Sequence, residues 1–320
     1  MIAYDSYYTS SDTEDADIVH SARITSDQIG AIATWLDSAR LIEETRKFIE
    51  SQKRKPVVKT DVDVIRKWLT NAWSTEFFLA SITDDFGPDV KAYAVHWAFP
   101  QAYYAVYGQR MAYSIVHGYQ EDSHQKVIRR FGNDALELRL PASLAICVTG
   151  TKNNYEHHNI AVIDDFTTDR RLRRVDHAMV AGYVGSALRG TRGFDLDRLR
   201  RERAKEFVTS KGKPTQKLNR EQWQSIAKNL GPTSLMSFLY RKRLKANYDN
   251  VDALHSDVID ANNLLSDIRC IVNAFALVHE SLILFRMGRR AFEEMIERAP
   301  KQVVGMFNAR KSDVLSCGCL

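Results

Sequence analysis

Residues 256–285 read "SDVIDANNLLSDIRCIVNAFALVHESLILF" and carry apolar side chains at steps of three or four. That spacing aligns side chains on one face of an α-helix, which turns once every ~3.6 residues. The stripe consists of Val258, Ala261, Leu265, Ile268, Val272, Phe275, Val278, Leu282 and Phe285. The segment therefore predicts a long helix that buries one face, and a mainly α fold built around it.

Helical patterns occupy most of the chain before this segment. Residues 25–52 predict one helix capped by Ser26 and Asp27, and a second helix is expected to begin at Thr60. The third helix is rich in aromatic residues, and Pro100 should kink it or start a new segment. Its aromatics cover more than one face, which is typical of a central bundle helix; a stacking platform for bases is the alternative.

The middle of the chain has a different pattern. Residues 135–165 contain strand-like runs and turn residues, which predict a small β hairpin or an irregular loop. Helical patterns resume afterwards, with a helix expected to begin at Asn219 and end at Gly231 and Pro232, and another to begin at Thr233. Residues after 300 lack a strong pattern and are expected to be loose.

The composition restricts the class of protein. The chain has 320 residues, of which 44% are hydrophobic and 27% charged, and its formal net charge is +5. These values are typical of a globular protein. No uninterrupted apolar run reaches the ~18 residues of a membrane span, and the first residues are acidic and polar, unlike a signal peptide. We expect a cytoplasmic protein without a membrane partner.

Positive charge is concentrated in residues 189–220, which hold eleven Lys and Arg against four Asp and Glu. Clustered cations can contact phosphates along a nucleic-acid backbone. The predicted contacts are Arg198, Arg200, Arg201, Arg203, Lys205, Lys211 and Lys213. The alternative is a solvated helix surface in which Glu202 and Glu206 form local ion pairs.

A second cluster of cations lies in "RKRLKANY", residues 241–248. Residues four, five or seven apart point roughly the same way on a helix. Arg241, Arg243, Asn247 and Tyr248 are therefore expected to share one face, where an arginine fork suits a phosphate group. In the alternative interpretation Tyr248 packs against the core, and the arginine and lysine at 241 and 242 are solvated.

Two stretches carry a family resemblance. Residues 239–268 read "LYRKRLKANYDNVDALHSDVIDANNLLSDI" and bear the arginines of the second cation cluster. Residues 98–132 read "AFPQAYYAVYGQRMAYSIVHGYQEDSHQKVIRRFG", in which an aromatic-rich helix precedes a short loop and a Ser-His. Together they resemble the arginine-bearing helix and the helix pair of HEPN domains, all-α bundles found in prokaryotic ribonuclease toxins and antiphage defence proteins.

The resemblance implies a division of the chain. Segments 60–132 and 219–300 would form the two parts of an antiparallel HEPN-like bundle. Segment 1–59 would be an N-terminal tail and helix, 133–218 an insertion that is basic toward its end, and 301–320 a loose C-terminal tail.

The resemblance also implies a function: a metal-independent RNA endonuclease in which the 2′-OH of the RNA attacks the phosphate and arginine steadies the charge. The family's catalytic members carry Arg-x(4–6)-His on this helix, whereas this chain has Tyr248 at that position. A tyrosine of ordinary pKa near 10 is a poor base at neutral pH. His124 and His255 are candidate substitutes from elsewhere in the fold.

The resemblance implies RNA, including tRNA, as a partner, a homodimer, and an antitoxin or defence-system partner protein. The alternative function is a catalytically inactive protein that binds RNA or a nucleotide, or serves as a subunit of a defence complex. No cofactor and no metal site are predicted, because neither a phosphate-binding glycine loop nor a set of metal-ligand spacings is present. The adjacent His157 and His158 would point apart on a strand.

Overall fold

We analysed a computed structural model, which describes residues 13–53, 61–82, 86–152, 154–161, 166–168, 171–207, 215, 218–248 and 260–319. Within these residues the protein is mainly helical, as predicted, and carries one small sheet. The elements are α1 (Thr13–Trp35), α2 (Ser38–Ser51), α3 (Val62–Ala80), α4 (Pro88–Val116), α5 (His124–Leu136), β1 (Cys147–Thr151), β2 (Asn154–His158), α6 (His177–Glu202), α7 (Arg220–Leu230), β3 (Thr233–Ser234), α8 (Leu235–Tyr248), α9 (Ala261–Met287), α10 (Arg289–Glu297), α11 (Lys301–Asn308) and α12 (Lys311–Gly318).

Helix α9 is the central element and contains the apolar stripe from Ala261 onward, whereas Val258 lies outside the described residues. It begins at Asp260, whose side chain accepts hydrogen bonds from the backbone N–H groups of Asn262 and Asn263. Helices α1, α2, α4 and α12 pack around it. From Ala274 to Phe285 every side chain is buried, so the helix is buried on all sides toward its end rather than on one face.

The length and composition of α9 would also suit a membrane span. Its most apolar 18-residue window has a mean hydropathy of 1.6, and 83% of that window is buried inside the protein. The sequence criterion of an uninterrupted apolar run misses this apolar window, because polar residues such as Asn273 and Ser281 interrupt the run. Burial of this extent fits the core helix of a bundle, which passes the same test of length and hydropathy.

The N-terminal helical region differs from the prediction. Ser26 and Asp27 lie inside α1 and do not cap a helix. The chain leaves the helix after Trp35 and starts α2 at Ser38, where the Asp37 side chain accepts a hydrogen bond from the Arg40 N–H. Asp37 thus supplies the capping interaction that begins α2.

Three further predictions concern a proline and two helix caps. Helix α4 runs through Pro100 as one continuous element, so the proline does not start a new helix. The Asn219 cap is confirmed, since its side chain and that of Gln222 form a reciprocal capping box. Thr60, predicted to begin α3, is outside the described residues; the Asp61 side chain caps that helix.

A hairpin within 135–165 is confirmed. Strand β1 pairs antiparallel with β2 on one side and with β3 on the other. Thr233 and Ser234, predicted to start a helix, form β3 immediately before α8. The Arg192 guanidinium from α6 donates to the carbonyl oxygens of Gly150 (2.8 Å) and Gly231 (2.7 Å), and so joins the hairpin to the segment before α8.

The prediction of a loose C-terminal tail was wrong. Residues 301–318 form α11 and α12, with Val304, Phe307, Val314 and Cys317 buried. The Phe307 ring packs against those of Trp73 and Phe292, at centroid distances of 5.8 and 5.7 Å. Each helix has only eight residues, too few for a long periodic pattern, and both depend on packing for stability.

A substitution at Gly132 of α5 tests the close approach of that helix to Pro232. A Cβ atom added at this position would lie 2.3 Å from the carbonyl oxygen of Pro232. Gly132→Ala is therefore expected to lower the free energy of unfolding by about 1–3 kcal/mol. In an uncrowded helix the same change stabilises by about 0.5–1 kcal/mol. Urea unfolding followed by circular dichroism measures the difference in unfolding free energy between Gly132→Ala and the wild type.

Gly305 in α11 is the matched control. A Cβ atom added there meets no atom within 4 Å. Gly305→Ala is expected to raise the free energy of unfolding by about 0.5–1 kcal/mol. If Gly132→Ala stabilised the protein as much as Gly305→Ala, the close approach of α5 to Pro232 would be refuted.

Candidate active site

The cations of α8 point to different neighbouring helices, and the prediction of two guanidiniums on one face is wrong. The Arg243 guanidinium donates a hydrogen bond of 2.7 Å to the Tyr104 hydroxyl on α4. Arg241 lies over the ring of Phe194 on α6, 5.0 Å from its centre. A helix turns about 100° per residue, so two residues apart in sequence lie nearly opposite. The seven-residue spacing between Arg241 and Tyr248 does not determine where Arg241 lies relative to Arg243.

Lys242, which lies between these two arginines in the sequence, is also held within the fold. The Lys242 Nζ donates to the Thr25 hydroxyl of α1 at 3.0 Å. Burial, followed by the charges of Arg241 and Lys245, lowers the pKa of Lys242 well below its usual value. The alternative has Arg241 and Lys242 solvated, but both side chains are only partly exposed, and burial lowers the pKa of Arg241, a shift that nearby Asp195 partly opposes. The side chain of Tyr248, the other part of that alternative, lies outside the described residues.

Arg243 sits in an aromatic cage. Its guanidinium carbon lies 5.5 Å from the ring centre of Tyr103, 4.9 Å from that of Tyr104 and 5.6 Å from that of Tyr240. Tyr103 and Tyr104 come from α4, and Tyr240 comes from the turn of α8 just before Arg243. Cation–π contacts of this kind fix the direction of a guanidinium while leaving its N–H groups able to donate.

His124 joins the same cage from the start of α5. Its Nδ1 lies 2.8 Å from the Tyr103 hydroxyl, and its ring centre lies 4.3 Å from that of Tyr107. The Ser123 side chain caps α5 and accepts from the Lys126 N–H, which fixes the position of the adjacent histidine. Arg243 and His124 thus contact the same aromatic cluster, since both meet the rings of Tyr103, Tyr104 and Tyr240, and both are only partly buried.

Electrostatics keep this site in a defined protonation state. Burial, and secondarily the charge of Arg243, lowers the pKa of His124 below 6.5. Burial raises the pKa of Tyr103 far above 10, and burial together with Glu121 and Tyr104 raises that of Tyr107. At neutral pH the imidazole is therefore uncharged and both phenols keep their protons.

Several predicted site residues lie at the edge of what the structure describes. Asn247 and Tyr248 form the last turn of α8, but their side chains are outside the described part of the structure. His255, Lys211 and Lys213 also lie outside the described residues. The structure therefore brings Arg243 and His124 together and separates Arg241 from them.

The basic segment consists of the end of α6 and a short 3₁₀ turn at Ala204–Glu206. Arg198 pairs with Glu202 at 2.9 Å and approaches Asp195 at 3.5 Å. Arg203 pairs with Glu206 at 2.6 Å. These pairs are the ones expected for a solvated helix surface, which was the alternative to a nucleic-acid contact.

Three further predicted contacts of this segment, Arg200, Arg201 and Lys205, keep a more open environment. Arg201 and Lys205 are exposed and Arg200 is partly exposed. None of the three forms an ion pair within the described ranges. Of the predicted contacts that the structure describes, these three are the best placed to contact an anion from solvent.

Sequence reasoning missed the tyrosine cage as a partner of Arg243. The signal was present in "AYYAVYG", residues 102–108, whose three tyrosines lie within about one and a half turns of helix. Nothing in that spacing showed which tyrosine meets α8. Tyr103 is fully buried, Tyr104 is 37% exposed, and Tyr107 is intermediate, so the helix serves both the core and the surface.

The described residues contain no group of three or more His, Cys, Asp or Glu side chains arranged to hold a metal ion. The two adjacent histidines of β2 face different partners in the hairpin register, Val148 for His157 and Cys147 for His158. The Nε2 atom of His158 lies 2.8 Å from the Thr149 hydroxyl.

Comparison of the chain with protein-family models, with curated proteins and with solved structures finds no match.

Proposed function

We propose that this protein is a HEPN-like, metal-independent RNA endonuclease in which Arg243 binds the scissile phosphate and His124 transfers protons. The observation that carries the proposal is the shared contact of both residues with Tyr103. The resemblance to HEPN domains implies a catalytic histidine beside the arginine, and α8 carries none among its residues. His124 takes that role from α5, and Tyr248 is not needed as a base.

Arg243 fits the phosphate-binding role. The hydrogen bond from Nη2 to Tyr104 and the surrounding rings hold the guanidinium in one orientation. An arginine always carries its charge, and its fork of N–H donors matches the oxygens of a phosphoryl group. Partial burial strengthens this attraction because water screens the charge less. In the transition state, Arg243 would stabilise the extra negative charge on the phosphorus oxygens.

His124 fits the role of general base. In the tautomer whose Nδ1–H donates to the Tyr103 oxygen, Nε2 carries the lone pair. Nε2 would take the proton from the 2′-OH as that oxygen bonds to phosphorus and the bond to the 5′ oxygen breaks. The products would be a 2′,3′-cyclic phosphate and a 5′-OH, which receives a proton from the imidazolium or from water. The lowered pKa keeps the imidazole neutral and ready to accept a proton.

The exposed face of α4 supports single-stranded RNA as the substrate. Tyr93, Trp97 and Tyr104 are 61%, 60% and 37% exposed and follow one another along the helix. Aromatic side chains stack with bases whatever their sequence. Tyr104 connects this row to Arg243, so a strand stacked along α4 would bring its backbone to the site.

A second candidate function is favoured by the engagement of Arg243 within the fold. An arginine already hydrogen-bonded and caged by three tyrosines also suits a structural role or simple binding. In this case the protein binds RNA or a nucleotide without cleaving it, or serves as a partner subunit in a defence complex. A homodimer, an antitoxin and a defence-system partner protein follow from the resemblance alone.

The test is cleavage of total RNA and of tRNA by the purified protein in EDTA, with cyclic-phosphate ends detected by end-labelling. Arg243→Ala is expected to lower the rate by about 10²–10³, as loss of an oxyanion donor does. Arg290→Ala is the matched control, because Arg290 is 93% exposed on α10. It should leave cleavage unchanged.

Each result leads to a definite conclusion. Cleavage in EDTA that is lost only in Arg243→Ala supports the nuclease. RNA binding without cleavage by the wild type, weakened by Arg243→Ala, favours the second candidate. Equal cleavage by the wild type and Arg243→Ala would assign the activity to another site or to a contaminant and would refute the proposal.

A further inference from the structure

The hydrogen bond between Tyr104 and Arg243 lies at the protein surface and has a fixed direction. Arginine has N–H donors and no lone pair, so the tyrosine oxygen must be the acceptor of this 2.7 Å bond. A hydroxyl also carries one proton of its own, and no described group accepts that proton from Tyr104. The proton is therefore available to an acceptor that arrives from solvent.

The Arg243 guanidinium keeps an unused donor beside this hydroxyl. Its Nη2 is engaged by Tyr104 and its Nε is enclosed without a partner, whereas Nη1 is not enclosed and donates to no group in the described part of the chain. No described carboxylate pairs with Arg243. Because Nη1 and Nη2 share one carbon, Nη1 also lies close to the Tyr104 oxygen. An N–H and an O–H are thus available side by side, next to an uncompensated positive charge.

Tyr104 differs from the other tyrosine that contacts both Arg243 and His124 from α4. Tyr103 is fully buried, and its hydroxyl is shared with Nδ1 of His124 at 2.8 Å. Tyr104 is 37% exposed, and its ring centre lies 6.1 Å from that of His124 with the planes at 68°. Its hydroxyl therefore serves neither the core nor the histidine, although its ring lies beside both proposed catalytic groups.

We propose that the Tyr104 hydroxyl is a further catalytic group, which donates a hydrogen bond to a non-bridging oxygen of the phosphodiester bound by Arg243. This inference rests on the proposed function. The bond received from Arg243 polarises the tyrosine oxygen and makes its O–H a stronger donor. Tyr104 keeps its proton throughout: His124 takes the proton of the 2′-OH, the 2′ oxygen bonds to phosphorus, and the bond to the 5′ oxygen breaks. The hydrogen bond from Tyr104 strengthens as negative charge accumulates on the phosphorus oxygens.

Tyr104→Phe tests the hydroxyl alone, because the ring that packs against Arg243 and faces solvent is kept. We expect the rate of RNA cleavage to fall about 10- to 100-fold, the effect of losing a donor to a charged acceptor. Tyr119→Phe is the matched control, since Tyr119 is a partly exposed tyrosine in the loop after α4 and does not belong to the cage. It should cleave as the wild type does. Circular dichroism verifies that both variants fold.

Sulfur substitution at the scissile phosphate distinguishes a contact with the substrate from a packing role. Sulfur is a weaker hydrogen-bond acceptor than oxygen. The wild type should therefore cleave more slowly when sulfur replaces the non-bridging oxygen that Tyr104 contacts. In Tyr104→Phe the penalty for sulfur at that one position should disappear, because the contact is already absent. If the penalties at both non-bridging positions were the same in the variant as in the wild type, the proposed contact would be overturned.

Binding of 2′-O-methyl RNA, which lacks the attacking hydroxyl, separates this inference from the nuclease itself. We expect Tyr104→Phe to weaken binding about three- to tenfold and Tyr119→Phe to leave it unchanged. If the wild type binds this RNA but cleaves none, and Tyr104→Phe binds it more weakly, the nuclease fails and the phosphate contact stands. If Tyr104→Phe cleaves and binds as the wild type does, the contact is overturned and the nuclease stands. A wild type that neither binds nor cleaves RNA overturns both.

Discussion

Arg310→Ala is expected to lower the free energy of unfolding by about 3–5 kcal/mol, the usual cost of removing one partner from a buried ion pair. Arg310 lies between α11 and α12 and is 3% exposed. Its guanidinium donates to Glu280 of α9 through Nε (2.9 Å) and Nη2 (2.6 Å), and to Glu76 of α3 through Nη1 (2.6 Å) and Nη2 (3.0 Å). The variant would leave two carboxylates with no cation in the core.

The surrounding groups cannot replace the lost charge. Glu280 Oε1 also accepts from the indole N–H of Trp73 at 2.7 Å and from the Gln109 amide at 3.0 Å. These donors satisfy hydrogen bonds but carry no positive charge, so the desolvation cost of the carboxylate would remain. The network also fastens α11 and α12 to α3 and α9, so its loss would be transmitted to the C-terminal helices.

Urea unfolding measures the effect, with Arg290→Ala as the control. Arg290 forms an i, i+4 pair with Glu294 at 2.9 Å on the surface, and its removal is expected to leave the free energy of unfolding nearly unchanged. An Arg310→Ala variant as stable as Arg290→Ala would show that the buried network does not hold the C-terminal helices in place.

The pH dependence gives a second measurement. Burial raises the pKa of Glu76, and the charge of Arg310 opposes that shift. Without Arg310 the pKa of Glu76 should rise further, so the folded variant takes up a proton more readily than the wild type does. Because proton uptake by the folded state stabilises it as the pH falls, the deficit in unfolding free energy should shrink toward acidic pH.

The sequence predicted those elements that have strong local signals. The apolar stripe of α9 from Ala261 onward, the Asn219 cap and the stop at Gly231 depend on neighbouring residues, and all three are present. In α1 and α2 the same reasoning failed, because Asp27 and Asp37 are equally good caps by type. Asp27 instead accepts a hydrogen bond from the Tyr183 hydroxyl of α6 at 3.3 Å, a tertiary contact that no local pattern shows.

The candidate site was only partly predictable for the same physical reason. Helical spacing indicates which side chains of α8 are neighbours, but the adjacent helix determines what each one meets. Arg241 meets α6 and Arg243 meets α4, although both are arginines within one turn. The sequence indicates His124 only as a substitute for a missing histidine, and its position beside Tyr103 depends on how α5 packs on α4.

The short C-terminal helices show the remaining limit. Arg310 is a single arginine in a segment with little periodic pattern, and its partners Glu76 and Glu280 lie 234 and 30 residues away. Ion pairs over such separations leave no trace in local composition. A buried carboxylate on an otherwise apolar helix, such as Glu280 among the core residues of α9, is the one feature that signals an unseen cation.

His124→Gln is expected to lower the rate of RNA cleavage by about 10²–10⁴, the usual contribution of general acid–base catalysis. Glutamine keeps a polar side chain of similar size but cannot exchange a proton near neutral pH. Because Arg243 and the aromatic row on α4 remain, RNA affinity should change little, so kcat should fall with KM nearly constant. The exposed His177 at the start of α6 provides the control, and His177→Gln should cleave as the wild type does.

The pH profile distinguishes a proton-transfer role from a packing role. Groups facing His124 are Tyr103, Tyr104 and Tyr107 of α4, and Tyr240 and Arg243 of α8. Burial and the Arg243 charge both lower the His124 pKa, so wild-type cleavage should persist below pH 6.5 and fall only when the imidazole is protonated. An acid limb above pH 6.5, or one retained in His124→Gln, would contradict a base at this position.

An NMR titration of the His124 ring tests the pairing with Arg243 without relying on activity. The signal is assigned by its absence in His124→Gln. In Arg243→Gln the repulsion between the guanidinium and the protonated imidazole is gone, so the pKa of His124 should rise toward 6.5. An unchanged pKa would mean that the two groups are not electrostatically coupled, and the site would lose its basis whether or not RNA is cleaved. A raised pKa with no cleavage would instead retain the geometry and favour the binding function.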